Sequence, residues 1–361
     1  MKKFFAPRFL SVLALSATVF LASCEEDPIQ PVTPQIPTTY NFENVSYAGQ
    51  SERLKMLDMI IEYTEAARAG TELDATKLKN MFGNIPGGFD TTFTRQLKDK
   101  TFGTEVEKIE ALFDRIALAS KSKTVGSNGV AGVVTSPDGT RKYLMDENGM
   151  DLAELIEKSI MGATFYYQAM GVYLEEGKTG DNVDNTTVKA GEGTPMQHGW
   201  DEAFGYFGVP KDFPTNVTGV MFWGNYTNRR NAVLANSKTI MDAFLKGRHA
   251  INNKDMATKK AAIATIRSEW EKVAVASAIS YINLAQKNLT NDATRNHVLS
   301  EAIGFISALK YNPAKKITEA QMLEVLGNIG TNLYNVTPAK LDLARNRLSE
   351  IYGLNAVKDA L

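Results

Sequence analysis

Apolar residues recur at helical spacing along most of this chain. In residues 51–69, for example, Leu54, Leu57 and Ile60 fall on one face with charged residues between them. The same spacing predicts a series of amphipathic helices, which cover residues 51–69, 105–119, 152–174, 228–249, 255–289, 292–309 and 338–352. Helical segments therefore dominate the predicted architecture.

Two glycine-rich polar stretches, residues 123–149 and 177–195, interrupt this pattern and are predicted loops. The first contains a Ser136-Pro137-Asp138-Gly139 turn between residues 130–135 and 141–145, which predicts one short β-hairpin. No further series of alternating segments predicts a larger sheet. The predicted fold class is all-α, a helical bundle with long loops and one short hairpin.

The first 23 residues are typical of a targeting segment. Lys2, Lys3 and Arg8 precede an apolar run, Leu10 to Ala22, that is too short to cross a bilayer comfortably. Removing this signal peptide leaves 37 basic and 41 acidic residues, a net charge of −4. That balance argues against binding to nucleic acid, which requires a concentrated basic surface.

The segment Leu21-Ala22-Ser23-Cys24 resembles the lipobox of bacterial lipoproteins. Cys24 is the single cysteine of the chain and has no disulfide partner, so we predict that it carries the lipid that anchors the protein to a membrane. The alternative is an ordinary signal peptide followed by an incidental thiol. Glu25-Glu26-Asp27 resembles a surface-export signal of Bacteroidetes-type lipoproteins, which favours an outer-membrane lipoprotein at the cell surface over the periplasmic side.

Residues 24–40 begin with the lipidated cysteine and are rich in proline, so they are predicted to form an extended spacer. The remaining residues, 41–361, are sufficient for a single large helical domain with a substantial core.

A ten-residue signature occurs twice in this domain. Residues 198–207 and 297–306 share the pattern H-x-x-x-E-A-apolar-G-aromatic-apolar. The recurrence predicts an internal duplication, with repeat units at about residues 151–250 and 255–352. Each unit would contain a long helix, a connection and then the signature helix.

The glycine of each signature lies on the same helical face as the histidine and glutamate. A glycine inside a helix costs about 1 kcal/mol relative to alanine, so its recurrence calls for a packing explanation. The simplest explanation is that the two signature helices cross closely at Gly205 and Gly304. Such a pseudo-two-fold crossing would bring both histidines and both glutamates into one pocket.

Imidazole and carboxylate groups in one pocket suit iron or zinc. The predicted metal ligands are His198, Glu202, His297 and Glu301, with Asp201 as an additional ligand. The alternative is structural, because a His–Glu pair four residues apart also stabilises a helix without any ligand.

The run Gln197 to Gly208, together with Arg295 to Gly304, resembles an uncharacterised family of Bacteroidetes-type lipoproteins. That family is similar, more distantly, to the imelysin-like proteins, which are exported, duplicated helical bundles associated with iron acquisition. Their G-x-H-x-x-E motif would assign the histidine role to His198 and the carboxylate role to Asp201. The chain departs from that motif, because aspartate replaces glutamate there and Ser300 takes that position in the second copy.

Catalytic signatures are not evident in the sequence, since neither H-E-x-x-H nor G-x-S-x-G occurs. We expect a non-catalytic binding protein in metal (iron) or haem acquisition. The alternatives are a role as accessory partner of an outer-membrane transporter, or capture of carbohydrate or peptide. Trp200, Trp223 and Tyr226 would then form an aromatic platform, and Arg229-Arg230 would meet anionic groups.

Overall fold

The computed structural model describes residues 35–361, so Cys24, the signal peptide and most of the predicted spacer lie outside the described residues. Within residues 35–361, helices occupy most of the chain, which confirms the predicted all-α class. The α-helices, numbered α1 to α12 in chain order, are Ala48–Glu65, Ala75–Gly83, Val106–Ser120, Leu152–Ile160, Glu176–Thr179, Pro195–Phe207, Phe222–Leu234, Ser237–Asn252, Met256–Lys287, Asp292–Ala308, Glu319–Ile329 and Pro338–Tyr352. None of these described helices is both long and apolar enough to cross a membrane.

Two predicted helices differ from the observed ones in a way that the backbone explains. The helix that begins with α4 continues past residue 160 through two π-helical stretches, Met161–Tyr166 and Ala169–Tyr173. The helix predicted over 228–249 is instead two helices, α7 and α8. Ala235, between them, has a φ of +50°, a left-handed conformation that ends a right-handed helix.

The predicted hairpin is present. Strand β1, Gly132–Thr135, pairs antiparallel with strand β2, Lys142–Met145, and Gly139 supplies the positive φ of the turn. After β2 the chain reaches Asp151, which caps α4. The hairpin thereby brings the side chain of Tyr143 next to the beginning of α4.

Helix α9 lies at the centre of the core. Its residues 273–279 have no exposed surface, and the helix packs against α7, α8, α10 and α12. A helical segment whose side chains are apolar or small on every side is stable only when other elements surround it. Helices α7, α8, α10 and α12 therefore surround this part of the core.

The two predicted repeat units have the same order of main elements. Each contains a long helix, then the signature helix, then two more helices. The first signature helix, α6, packs against the π-helical stretch Ala169–Tyr173, and the second, α10, packs against α9. Duplication stays a prediction, but each signature helix does fold back on the long helix before it.

Candidate functional site

The first signature pair, on α6, lies in a small cavity of about 280 Å³. His198 Nε2 is 3.7 Å from Glu202 Oε2. The other oxygen of Glu202, Oε1, accepts hydrogen bonds from Gln50 Nε2 at 2.8 Å and from the Tyr173 hydroxyl at 3.1 Å. These partners come from α1 and from the π-helical stretch, so the carboxylate joins three elements of the bundle.

The second signature pair, on α10, lies in a much larger cavity of about 780 Å³. His297 Nε2 is 3.5 Å from Glu301 Oε1. This cavity is bounded by α1, the hairpin, α4, α7, α9 and α10, and it shares no lining residue with the cavity at the first pair.

The predicted meeting of the two signature helices is therefore wrong. A Cβ atom at Gly205 would lie 2.6 Å from Tyr47 Cβ, at the start of α1, whereas one at Gly304 would lie 2.2 Å from Lys158 Cβ on α4. Each glycine admits a different neighbouring helix. The four predicted ligands consequently do not form one site, because the two pairs lie in different cavities.

Asp201, the predicted additional ligand, is fully enclosed in a different ion pair. Its Oδ1 accepts hydrogen bonds from Arg248 Nε at 2.9 Å and from the Tyr40 hydroxyl at 2.7 Å, and neither Asp201 nor Arg248 has an exposed side chain. Burial raises the pKa of the Asp201 carboxyl, and the Arg248 charge opposes that shift. This aspartate joins α6 to α8 and is closed to any ligand from solvent.

The predicted aromatic platform is also wrong for its two tryptophans. Trp200 and Trp223 are buried, and their Nε1–H groups donate to the backbone oxygens of Phe244 and Met161 at 3.0 Å each. Tyr226 does line the large cavity, where its hydroxyl donates to Glu301 Oε2 at 2.9 Å.

A buried ammonium organises the acidic floor of the large cavity. Lys158 Nζ lies 3.0 Å from Glu154 Oε2, 2.7 Å from Glu157 Oε1 and 3.3 Å from Glu301 Oε2. Burial lowers the pKa of Lys158, but the charges of Glu154 and Glu157 outweigh it and hold that pKa well above its usual value. One internal cation therefore neutralises three carboxylates in part.

The two glutamates on α4 respond in opposite directions. Burial raises the pKa of Glu154, but Lys158 and then His297 outweigh it and lower that pKa to about 2. Burial dominates at Glu157 and raises its pKa to about 7. A single lysine cannot fully compensate both groups, so one carboxylate is firmly ionised and the other titrates near neutrality.

His297 is oriented by groups on two other elements. Its Nδ1 is 2.9 Å from Asp151 Oδ2, and the Tyr143 ring stacks on the imidazole with the centroids 4.0 Å apart. Burial lowers the pKa of His297. The hydrogen bond to Asp151 and the nearby Glu154 charge raise it by a larger amount, so the net shift is upward. A hydrogen bond from Nδ1–H to Asp151 leaves Nε2 as the atom that faces Glu301.

Asp151, Glu154 and His297 offer three potential metal-binding atoms within 4.8 Å of one another. Two of these groups are already engaged, because Asp151 Oδ1 caps α4 and Glu154 contacts both Arg68, at 3.2 Å, and Lys158. His297 Nε2 and Glu301 Oε1 form a second pair of donor atoms in the same cavity. Zinc bonds of 2.0–2.2 Å at a tetrahedral angle place two donor atoms about 3.4 Å apart, which fits the observed 3.5 Å.

The repeated signature identifies His297 and Glu301 but not the residues that orient them. Asp151 begins a predicted helix, and Glu154 and Lys158 are spaced four residues apart on it, which is a recognisable signal for an ion pair. No sequence signal, however, assigns that pair to the neighbourhood of His297, which is more than a hundred residues away along the chain.

Comparison with known proteins gives one match. A family model described as "Domain of unknown function (DUF4856)" matches residues 37–355. No curated protein and no solved structure matches the chain.

Proposed function

The chain belongs to the DUF4856 family, and because that family has no assigned function, we propose one from the geometry of the site. The protein is a non-catalytic binding protein in metal acquisition, which holds iron or zinc, as an ion or in a complex, between His297 Nε2 and Glu301 Oε1. The observation that carries this proposal is the 3.5 Å separation of these two donor atoms at the wall of a 780 Å³ cavity.

Both donor groups are held in position by their other polar atoms. Asp151 accepts from His297 Nδ1, and Tyr226 and Lys158 hold Glu301 Oε2 at 2.9 and 3.3 Å. A histidine whose second nitrogen donates to a carboxylate is the usual arrangement of a metal-binding imidazole. Pre-orientation of this kind lowers the ordering cost of binding, which supports a ligand site over a purely structural pair.

The resemblance to imelysin-like proteins supports the link to iron through the helical fold alone. The motif aspartate of that resemblance, Asp201, is engaged with Arg248, so the proposed ligands are those of the second signature. We further propose that lipid on Cys24 tethers this domain to the outer membrane, at the cell surface, where an outer-membrane transporter would receive the metal.

The repeated signature supplies a matched control for the test. The full chain, purified in detergent and stripped of metal, is dialysed against Zn²⁺ at pH 8 and the bound metal is counted. We expect one ion per chain in the wild type, a loss of at least tenfold in affinity in His297→Gln and Glu301→Gln, and unchanged binding in His198→Gln. Because metal must displace the proton of His297, affinity should also fall between pH 8 and pH 6.

Circular dichroism of each variant separates lost ligation from lost folding. Equal binding in the wild type and in a folded His297→Gln protein would contradict the proposal. An equal loss in His198→Gln would contradict it as well, since that residue lies in the other cavity.

A further inference from the structure

The cavity at His297 is far larger than a metal ion requires. An ion with six waters occupies on the order of 200 Å³ at about 30 Å³ per water, whereas the cavity measures about 780 Å³. That volume is in the range of sites for small organic molecules. Two protein donors also leave most coordination positions of a metal to be filled by something else.

The guanidinium on the α7 wall of this cavity has no acidic partner. Arg229 lines the cavity with its guanidinium carbon 5.7 Å from the centre of the Tyr226 ring, and it forms no ion pair within residues 35–361. A guanidinium without a counterion beside a cavity favours an anionic ligand.

Most acids of the same cavity already contact a cation. Glu154, Glu157 and Glu301 surround Lys158, and Glu65 pairs with Arg68 at 2.7 Å. On the hairpin side, Arg141 also lines the cavity without an ion pair within the described chain. Among the acids that line the cavity, exposed Asp58 is the one without an ion pair within the described chain. The charge beside Tyr226 that lacks a partner is therefore the guanidinium of Arg229.

We propose that the metal enters this cavity as an anionic organic chelate, one of whose carboxylate groups contacts Arg229 while His297 and Glu301 complete the coordination of the metal. This inference rests on the proposed function. Carboxylate chelators supply the oxygen donors that ferric iron prefers, and guanidinium groups bind carboxylates through two parallel hydrogen bonds. The charged floor around Lys158 disfavours the broad apolar ring of a porphyrin, so a polar chelate fits this cavity better.

The test compares a bare ion with a chelate on the same full chain in detergent. Equilibrium dialysis measures the affinity for Zn²⁺ alone and for ferric citrate, the probe for an iron–tricarboxylate complex. The test variant is Arg229→Gln. The control is Lys340→Gln on α12, which removes the same charge from an exposed residue outside the cavity.

We expect the Arg229→Gln variant to bind ferric citrate at least tenfold more weakly than the wild type and to bind Zn²⁺ within twofold of it. The α12 control should match the wild type for both probes. The chelate inference is overturned if the arginine variant binds ferric citrate as well as the wild type does, if the α12 control loses as much affinity, or if the wild type binds Zn²⁺ but not ferric citrate. Failure of the wild type to bind Zn²⁺ at all would instead refute the proposed function.

Discussion

At the scale of single residues, Lys158 determines the chemistry of the large cavity. Its ammonium contacts three carboxylates, two of them on its own helix. Glu154 has further cationic neighbours in Arg68 and His297, and its pKa is therefore lowered to about 2. Glu157 lacks those neighbours, and burial raises its pKa to about 7. Adjacent carboxylates of one cluster thus have opposite effects on stability.

Glu157→Gln should raise the free energy of unfolding at pH 8 by about 1–2 kcal/mol. The pKa of Glu157 is about 7 in the folded protein and 4.5 when unperturbed. Wild-type stability therefore falls as the pH rises from the lower of these values to the higher. The substitution removes this loss, so the two proteins should differ little at pH 4.5. Urea unfolding at the two pH values measures the difference, and equal stability at pH 8 would contradict the assignment.

Glu154→Gln should have the opposite effect on stability to Glu157→Gln. The folded pKa of Glu154 is depressed to about 2, so its stabilising charge is fully present above the unfolded value and is lost only as pH falls toward 2. The substitution should cost about 2–4 kcal/mol at pH 7, because Lys158 and Arg68 lose a buried partner. The same urea measurement should show this deficit shrinking toward pH 3.

At the scale of elements, the two signature glycines explain how α6 and α10 are seated. Both positions lack room for a side chain, but the obstructing helix is α1 in one case and α4 in the other. Close approach at Gly304 is what places Lys158 beside Glu301. The glycine therefore shapes the site without touching a ligand.

Gly304→Ala should destabilise the fold by about 1–3 kcal/mol through overpacking, because the new Cβ would lie 2.2 Å from Lys158 Cβ, close to the backbone of α4. The control is Gly327→Ala in the interior of α11, where nothing lies within 4 Å of the new atom. There the higher helix propensity of alanine should stabilise the protein by about 1 kcal/mol. Urea midpoints of the two variants should move in opposite directions. A shift of both in the same direction would show that packing at Gly304 is not limiting.

At the scale of the whole molecule, one continuous core joins the two predicted repeat units. Trp223 of α7 lies 5.9 Å from Trp270 of α9, ring centre to ring centre, and Phe244 of α8 contacts Trp200 and Trp270. Residues 36–361 form one compact unit by their contacts. The two predicted repeat units therefore do not have separate cores.

Because all three tryptophans share this core, we expect unfolding in urea to be a single transition. Tryptophan fluorescence and far-ultraviolet circular dichroism should give superimposable curves, since neither half can lose its packing while the other keeps it. Two separated transitions would show that the repeat units fold independently.

Much of the local structure could be predicted because it depends on neighbouring residues. Helical spacing located α1, α3, α9, α10 and α12, and the Asp138-Gly139 turn located the hairpin. The short helices α2, α5 and α11 were missed because they carry too few turns to give a clear period. Ala235 broke a predicted helix because its left-handed conformation has no sequence signal comparable to that of glycine.

The sequence by itself determined an all-α chain with two signature helices, each carrying a histidine, a glutamate and a glycine on one face. Only the tertiary structure decided that Glu202 is tied to Gln50 and Tyr173, whereas His297 and Glu301 border a large cavity. The physical reason is that spacing along a helix fixes which side chains share a face, while the element that covers that face comes from a distant part of the chain. Two signatures with the same pattern were thereby placed in different electrostatic surroundings.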